Sequence, residues 1–391
     1  MSYTLKLSIL NELIKMGKLN SVFGFDGNFT QEQLDSITSL QLTDCDSIDG
    51  ISLLRNLQTL KIISSKLESF GSIGPINKIA NFSEINKLIN LKRLYIANDY
   101  NIRFLDISNL SNLETLKIFN APNLSWIKGL SQLNLSEVVI CDCSLSSIGN
   151  AKDYIINTSL AANNIIDINL ASSLLQDKKT LIKKYDAGLT NIRFGEHVYA
   201  NDEIYTINVY QMLEMHKIAT DIIRRLKLDG LSDLEKSFRV YIYAIGTLKY
   251  DTEGLNYRNN NDLDNISKDK REYFSRRMMI INSAFGAFTQ RKVVCDGYVN
   301  MIKYLLGLCG ISSKTVICQK ENGQLHSALK IQIDGKWCYC DPEQDSYKKV
   351  RYFNLSKDEM EKLYTLSMKE QFDNGEMKEG TYGQYYKRLH R

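Results

Sequence analysis

The amino-acid sequence predicts an α+β protein in two parts, a solenoid of short strand-and-loop repeats followed by a domain that mixes helices with a hairpin. Three observations carry this. An apolar pattern, L-x-x-L-x-L-x-x-N/C, recurs through the first half. The pattern stops near residue 175, and apolar residues beyond it fall at helical spacing. Late in the chain, Asp334-Gly335 separates two alternating segments, the signal of a two-residue hairpin loop.

The repeat is read from its ladder residues. Ile37, Leu40, Leu42 and Cys45 open it, then Leu57, Leu60, Ile62 and Ser65. Leu91, Leu94, Ile96 and Asp99 follow, then Leu113, Leu116, Ile118 and Ala121. Leu135, Val138, Ile140 and Cys143 make a fifth unit, and Ile155, Thr158, Leu160 and Asn163 a sixth. The start-to-start steps are 20, 34, 22, 22 and 20 residues, so an insertion is expected near Phe70 to Phe82, where Gly71, Gly74 and Pro75 break the pattern. One such unit cannot bury its apolar edge alone, and stacking supplies the core. The positions between ladder residues form the concave face. One column reads Thr43, Ile63, Ala97, Phe119, Cys141, Ala161, and its neighbour reads Gln41, Lys61, Tyr95, Lys117, Val139, Ser159. Tyr95, Phe119, Lys61 and Lys117 there suit a protein partner, or another part of the same chain. These ladders resemble the leucine-rich repeat family in its short bacterial-type version.

Bulk properties narrow the function classes. At 391 residues the chain is too long for one ordinary core. A net charge of +4, from 49 basic and 45 acidic residues, forms no basic stripe with interleaved aromatics, so nucleic acid is not an expected partner. No run of about 18 apolar residues occurs, and no membrane span is expected. Glu12 and Lys15 interrupt the first apolar stretch, which lacks a signal-peptide pattern. The expected location is the cytoplasm, or outside it by export without a cleavable signal. The eight cysteines form no CxxC pair, and neither a disulfide scaffold, a metal nor a cofactor is expected. His197, His216 and His390 lack a partner motif.

In the second half, Ser232-Asp-Leu-Glu235 is a capping box heading a helix through Leu248. Residues 251–271 are polar and Asn-rich, hence loop, and a second helix is expected over 271–287. Tyr298, Ile302, Leu305, Leu306 and Cys309 keep helical spacing after Val293-Val294-Cys295-Asp296-Gly297-Tyr298, so Cys295 falls at a helix start. That position favours negative charge and suits a nucleophilic thiolate. With a two-residue loop at Asp334-Gly335, Ile333 pairs Lys336 and Asp341 faces Ala328. His326 and Asp341 then share one face within reach of each other, while Leu329, Ile331, Ile333, Cys338 and Cys340 line the other. A cysteine at a helix start with a His–Asp pair is a nucleophile, base and orienter set.

The C-x-G-Y at Cys295, the Asp-Pro 15 residues after His326 and the intervening Asp-Gly-Lys-Trp resemble the transglutaminase-like superfamily of papain-type thiol enzymes. The resemblance implies a transglutaminase-like α+β domain with Cys295, His326 and Asp341 as catalytic triad. It also implies acyl transfer on protein or peptide amides through a thioester, by hydrolysis (peptidase or deamidase) or by crosslinking. Ala328 and Leu329 depart from the family's usual Trp and Asn after the histidine. Gln290 is a candidate second oxyanion donor, and Asp345 the fallback orienting carboxylate. The expected division is a solenoid with a helical cap over 1–175, a connector over 176–205 and the catalytic domain over 206–391.

Overall fold

The structure is a computed structural model, and it describes residues 1–19, 28–64, 79–121, 123–143, 163–170, 175, 178–188, 191–198, 203–254, 267–319, 325–346 and 350–365. The chain mixes helix and strand throughout. It divides into two compact units, one built from the chain up to His197 with Thr206–Met212, the other from Val198–Tyr205 and from Leu213 onward.

The first unit opens with α1 (Tyr3–Lys15), capped by the Ser2 hydroxyl, and a short α2 (Gln31–Asp35) with a Thr30–Gln33 capping box. Strands follow at β1 (Ser39–Thr43), β2 (Thr59–Ile63), β3 (Arg93–Ala97), β4 (Phe104–Asp106), β5 (Thr115–Ala121), β6 (Trp126–Lys128), β7 (Glu137–Cys143), β8 (Asn163–Asp167), β9 (Asn191–Val198) and β10 (Glu203–Ile207), the last divided between the two units. One sheet takes them in the order β1-β2-β3-β5-β7-β8-β9-β10, and β4 with β6 forms a second, parallel strip. Leu40, Leu60, Leu94, Leu116 and Val138 stand in one register row, and Leu42, Ile62, Ile96, Ile118 and Ile140 in the next. All ten are at most 2% exposed, so each large side chain contributes about 1.5–3 kcal/mol of burial.

Asp44 after β1, Asn98 after β3 and Asn120 near the end of β5 take left-handed backbone, with φ of 54, 56 and 46°. Asn and Asp accept this conformation at low cost. Their side chains also stack along the array, Asn120 Nδ2 donating to Asn98 Oδ1 at 2.9 Å and Asn98 Nδ2 to the Ser64 carbonyl at 3.2 Å.

Two details of the array differ from the sequence expectation. Asn163, expected to close the sixth unit, instead begins β8, and Val138 pairs Asn164 while Ile140 pairs Ile166. Ile155, Thr158, Leu160, Ser159 and Ala161 lie outside the described residues, as does most of the expected insertion. The segment 176–205, expected as a connector, contributes α3 (Lys178–Asp186) and the strand β9, where Phe194 pairs Ile166. Ile192 and Phe194 are fully buried on that strand, which extends the apolar row where the L-x-x-L-x-L spelling has lapsed. On the face expected to be concave, Lys61 and Lys117 flank the Tyr95 ring with Nζ at 5.4 and 5.8 Å from its centre, and Lys117 also pairs Glu137 at 2.7 Å. Phe119 lies between Ala97 and Cys141 in register, but Cys141 and Val139 are buried rather than open.

The second unit packs helices on a small antiparallel sheet. After α4 (Val209–Leu226) comes α5 (Asp233–Thr247), whose Ser232–Glu235 capping box forms as expected. The helix expected over 271–287 is two helices, α6 (Lys268–Ile281) and α7 (Ala284–Thr289). The break falls at Asn282-Ser283, where extended Ser283 caps α7 by accepting from Gly286 N–H. Strands β11 (Lys249–Tyr250) and β12 (Lys292–Val293) pair in parallel and lead into α8 (Cys295–Leu308). Every residue of α8 from Asp296 to Leu306 is buried, the mark of a central helix. Strands β13 (Ser313–Gln319), β14 (Leu325–Ile333) and β15 (Lys336–Cys340) form the sheet, and α9 (Pro342–Asp345) and α10 (Lys357–Thr365) close the unit.

Candidate active site

Cys295 is the first residue of α8, so its backbone N–H is among those that a helix leaves without an internal acceptor. The chain before it is fixed on both sides. Val294 N–H donates to the Ile281 carbonyl at 3.0 Å, and Asp251 N–H donates to the Val293 carbonyl at 2.9 Å. Asp251 is buried and takes Arg277 at 3.0 Å and Lys292 at 3.2 Å. Burial alone would push its carboxyl up, but the Gly254 amide and these two cations hold it below the usual carboxylate range. Gly297 in the first turn of α8 leaves no room for a side chain, since a Cβ there would lie 2.5 Å from Val293 Cβ and 2.6 Å from the Ile281 carbonyl oxygen.

His326 stands on β14 and Asp341 directly after β15. The register between these strands runs from Ile333↔Lys336 to Leu329↔Cys340, as the two-residue loop requires. Asp334 and Gly335 both have positive φ, 47 and 78°, the geometry of the tight hairpin turn that matches strand twist. Asp341 Oδ2 accepts from His326 Nε2 at 2.8 Å, and its other oxygen caps α9 by accepting from Gln344 N–H at 3.2 Å. The carboxylate is thus held from both ends.

The Cys295 thiol lies close enough to the His326 ring to raise its proton affinity. Burial by itself would lower the imidazole's proton affinity, but the Asp341 charge, its hydrogen bond and the thiol outweigh this and hold His326 well above its ordinary value. The three residues expected as a set are therefore brought together, with His326 2% exposed and Asp341 fully buried.

Two further pairs belong to the site. Ser327 Oγ donates to Asp296 Oδ1 in a short buried contact, joining the residue after His326 to the residue after Cys295. Glu343 Oε2 lies 3.4 Å from His326 Nδ1 and accepts from its neighbour Gln344 Nε2 at 3.0 Å. The sequence reading missed Glu343. Only its place two residues beyond Asp341, in the first turn of a helix begun by Pro342, could have pointed to it. His326, Asp341 and Glu343 can each offer one ligand atom within 4.8 Å of the others. Spacing along the chain hides a cluster assembled across a hairpin.

Other expected residues stand elsewhere. Asp345 is not at the imidazole. It accepts from the Tyr241 hydroxyl at 2.6 Å and from the Arg351 and Tyr352 amides, and burial pushes its carboxyl up to about 7. Gln290 is an exposed residue at the end of α7. Cys338 is half-buried, not core, although Leu329, Ile331, Ile333 and Cys340 are core as expected. His216 is paired with the Tyr304 hydroxyl at 2.8 Å.

No family model matches the chain, and no curated protein matches it. Solved structures with partial likeness fall into two groups. A TGase (transglutaminase) is 15% identical with a TM-score of 0.30, over 39% of this chain and 38% of its own. A candidate cysteine protease of Cytophaga hutchinsonii is 11% identical with a TM-score of 0.23, over 38% of this chain and 45% of its own. An internalin of Listeria monocytogenes is 21% identical with a TM-score of 0.28, over 54% of this chain and 59% of its own. The chain spans less than two thirds of the length of each of these three proteins. Likenesses of this size carry no activity over to this chain.

Proposed function

We propose that this chain carries out cysteine-dependent acyl transfer on protein or peptide amides, with Cys295 as nucleophile, His326 as base and Asp341 as the residue that orients His326. One observation supports the reading above all: Asp341 holds Nε2 of the imidazole at 2.8 Å, on a ring whose proton affinity Cys295 also raises. His326 already holds the proton as an imidazolium beside the thiolate, and the sulfur attacks the amide carbonyl carbon. The Cys295 amide, at the free start of α8, donates to the developing oxyanion. His326 returns the proton to the leaving amine, and a thioester remains. Water then resolves it, making the enzyme a peptidase or deamidase; an amine acceptor would make it a crosslinking transglutaminase. Residues 206–391 form the transglutaminase-like domain in this reading. Residues 1–175 form a leucine-rich repeat that selects a protein target through Lys61, Tyr95, Lys117 and Phe119.

A second reading, a binding platform without turnover, is favoured by the near-complete burial of His326. Thiol labelling separates the two. Burial pushes the thiols of Cys309, Cys338 and Cys340 up, so iodoacetamide at neutral pH should modify Cys295 first in the native protein. Asp341→Asn should keep the fold, because Asn also caps a helix, and should cut turnover of an amide substrate by orders of magnitude. Modification spread evenly over Cys295, Cys309 and Cys318 would sink the catalytic reading.

A further inference from the structure

Asp345 takes no part in the acyl-transfer chemistry, yet its carboxylate is 4% exposed and gathers donors from two directions. Tyr241 Oη, on α5, donates to Oδ2 at 2.6 Å. The Arg351 amide donates to Oδ1 at 2.7 Å, and the Tyr352 amide lies 3.2 Å from Oδ1 and 3.1 Å from Oδ2. A carboxylate this deep is costly to keep even when its oxygens are satisfied. What it holds is the segment that backs Asp341.

That segment runs along the free edge of β15. Tyr339 and Leu355 exchange both backbone hydrogen bonds, at 2.8 and 3.0 Å. A regular antiparallel ladder would next pair Asp341 with Phe353. Instead the Asp341 amide donates to the Tyr352 carbonyl at 2.8 Å. The returning segment therefore carries one extra residue, and Asn354 takes it up in left-handed backbone with φ of 59°. A bulge of this kind re-aims the chain it faces. The Arg351 and Tyr352 amides go to Asp345, so the bulge is held from the side away from β15. A closed ring of contacts results. Asp341 caps α9, Asp345 ends it, Asp345 holds Tyr352, and the Tyr352 carbonyl holds Asp341 again. Tyr241 is the member that ties this ring to α5, and its hydroxyl also lies 3.4 Å from the Tyr352 carbonyl.

We infer that Asp345 and Tyr241 are positioning residues for the orienting carboxylate: by holding Tyr352 they fix where Asp341 meets Nε2 of His326. The role acts through Asp341 and so rests on the acyl-transfer reading. Without the ring, the 2.8 Å bond from Nε2 to Asp341 loses its fixed acceptor. The imidazolium is then less favoured, and each unit lost from its pKa shifts the balance tenfold from the thiolate–imidazolium pair to the neutral pair.

The test follows two readouts on the full chain. One is the low-field proton resonance of the charge-assisted Nε2–H bond, assigned as the signal that Asp341→Asn removes. The other is the rate of Cys295 alkylation by iodoacetamide at pH 8, above the value of about 7 to which burial pushes Asp345. Tyr241→Phe changes no charge and keeps the ring that packs on Phe353 at 4.9 Å. It and Asp345→Ala should each move the resonance upfield and slow alkylation by about tenfold, the equivalent of one unit. Asp345→Asn, which keeps an acceptor oxygen for the two amides, should recover part of both. Phe288→Leu, a core change on α7, should lower the melting temperature and leave both readouts in place. The proposal is overturned if Tyr241→Phe and Asp345→Ala leave resonance and rate as in the unaltered chain while Asp341→Asn alters them. It is overturned equally if Phe288→Leu moves them as far, since the effect would then be one of stability alone. Failure of the acyl-transfer reading looks different: Asp341→Asn itself would leave the alkylation rate unchanged, and the positioning role would fall with it.

Discussion

Ser327 and Asp296 show how the geometry around the thiol is maintained by residues that take no part in chemistry. Each is the chain neighbour of a site residue, both are buried, and one hydrogen bond joins them. Ser327→Ala removes that donor from a buried carboxylate, which should cost about 1–3 kcal/mol of stability. The same variant should slow iodoacetamide modification of Cys295, because the helix start and the strand lose their shared tie. Ser327→Thr, which restores a hydroxyl, should recover both readouts, and a labelling rate unchanged in Ser327→Ala would show that the tie sets nothing at the thiol. At this scale the His326–Asp341 pair was legible in the sequence, since the Asp-Gly loop fixes which residues share a face. Glu343 was not, because its place depends on the direction the chain takes after Asp341 when α9 begins. Nor did spacing bring Cys295 to His326: that meeting runs through tertiary packing of α8 on the sheet, and only the family resemblance suggested it.

Among the elements, β12 has the most to hold for its length, since its two residues lead directly into Cys295. Asp251 anchors it through Lys292 and through its own amide to Val293. A carboxylate held below its usual range stabilises the fold above its unfolded value, near pH 4, and that contribution disappears as pH falls through the lower folded value. Asp251→Asn should therefore lower the melting temperature at pH 7, by the equivalent of about 1–3 kcal/mol, and the gap to the unaltered chain should close below about pH 4. A gap that stays constant with pH would mean that charge is not what Asp251 contributes. The capping box at Ser232 was legible because it is written within four residues, whereas the split between α6 and α7 was not. Helical spacing runs straight through Asn282-Ser283, and only the extended backbone of Ser283 turns the chain there.

In the molecule as a whole, the first unit draws its stability from rows rather than from a central core. Leu116 is fully buried between Leu94 and Val138 in its row. Leu116→Ala should cost about 2–5 kcal/mol, read as a shift of the denaturant midpoint for the first unit. A loss below about 0.5 kcal/mol would refute the register, since that is the range of surface changes. The rows were legible in the sequence over five units because each strand repeats the same spelling. They ceased to be legible at β8 and β9, where pairing continues on Ile166 and Phe194 without that spelling. The same parallel stacking has a consequence at its first strand. A parallel array offers its end strand as a template on which an identical array could add, so unprotected ends grow into filaments. Here α1 is fastened beside that end, with Ser2 Oγ donating to the Ser47 carbonyl at 2.9 Å and Thr4 Oγ1 at 3.2 Å from Cys45 Sγ. Its own Leu5, Ile9, Leu10 and Leu13 are buried. Removal of this thirteen-residue helix is therefore expected to show as concentration-dependent end-to-end association in light scattering.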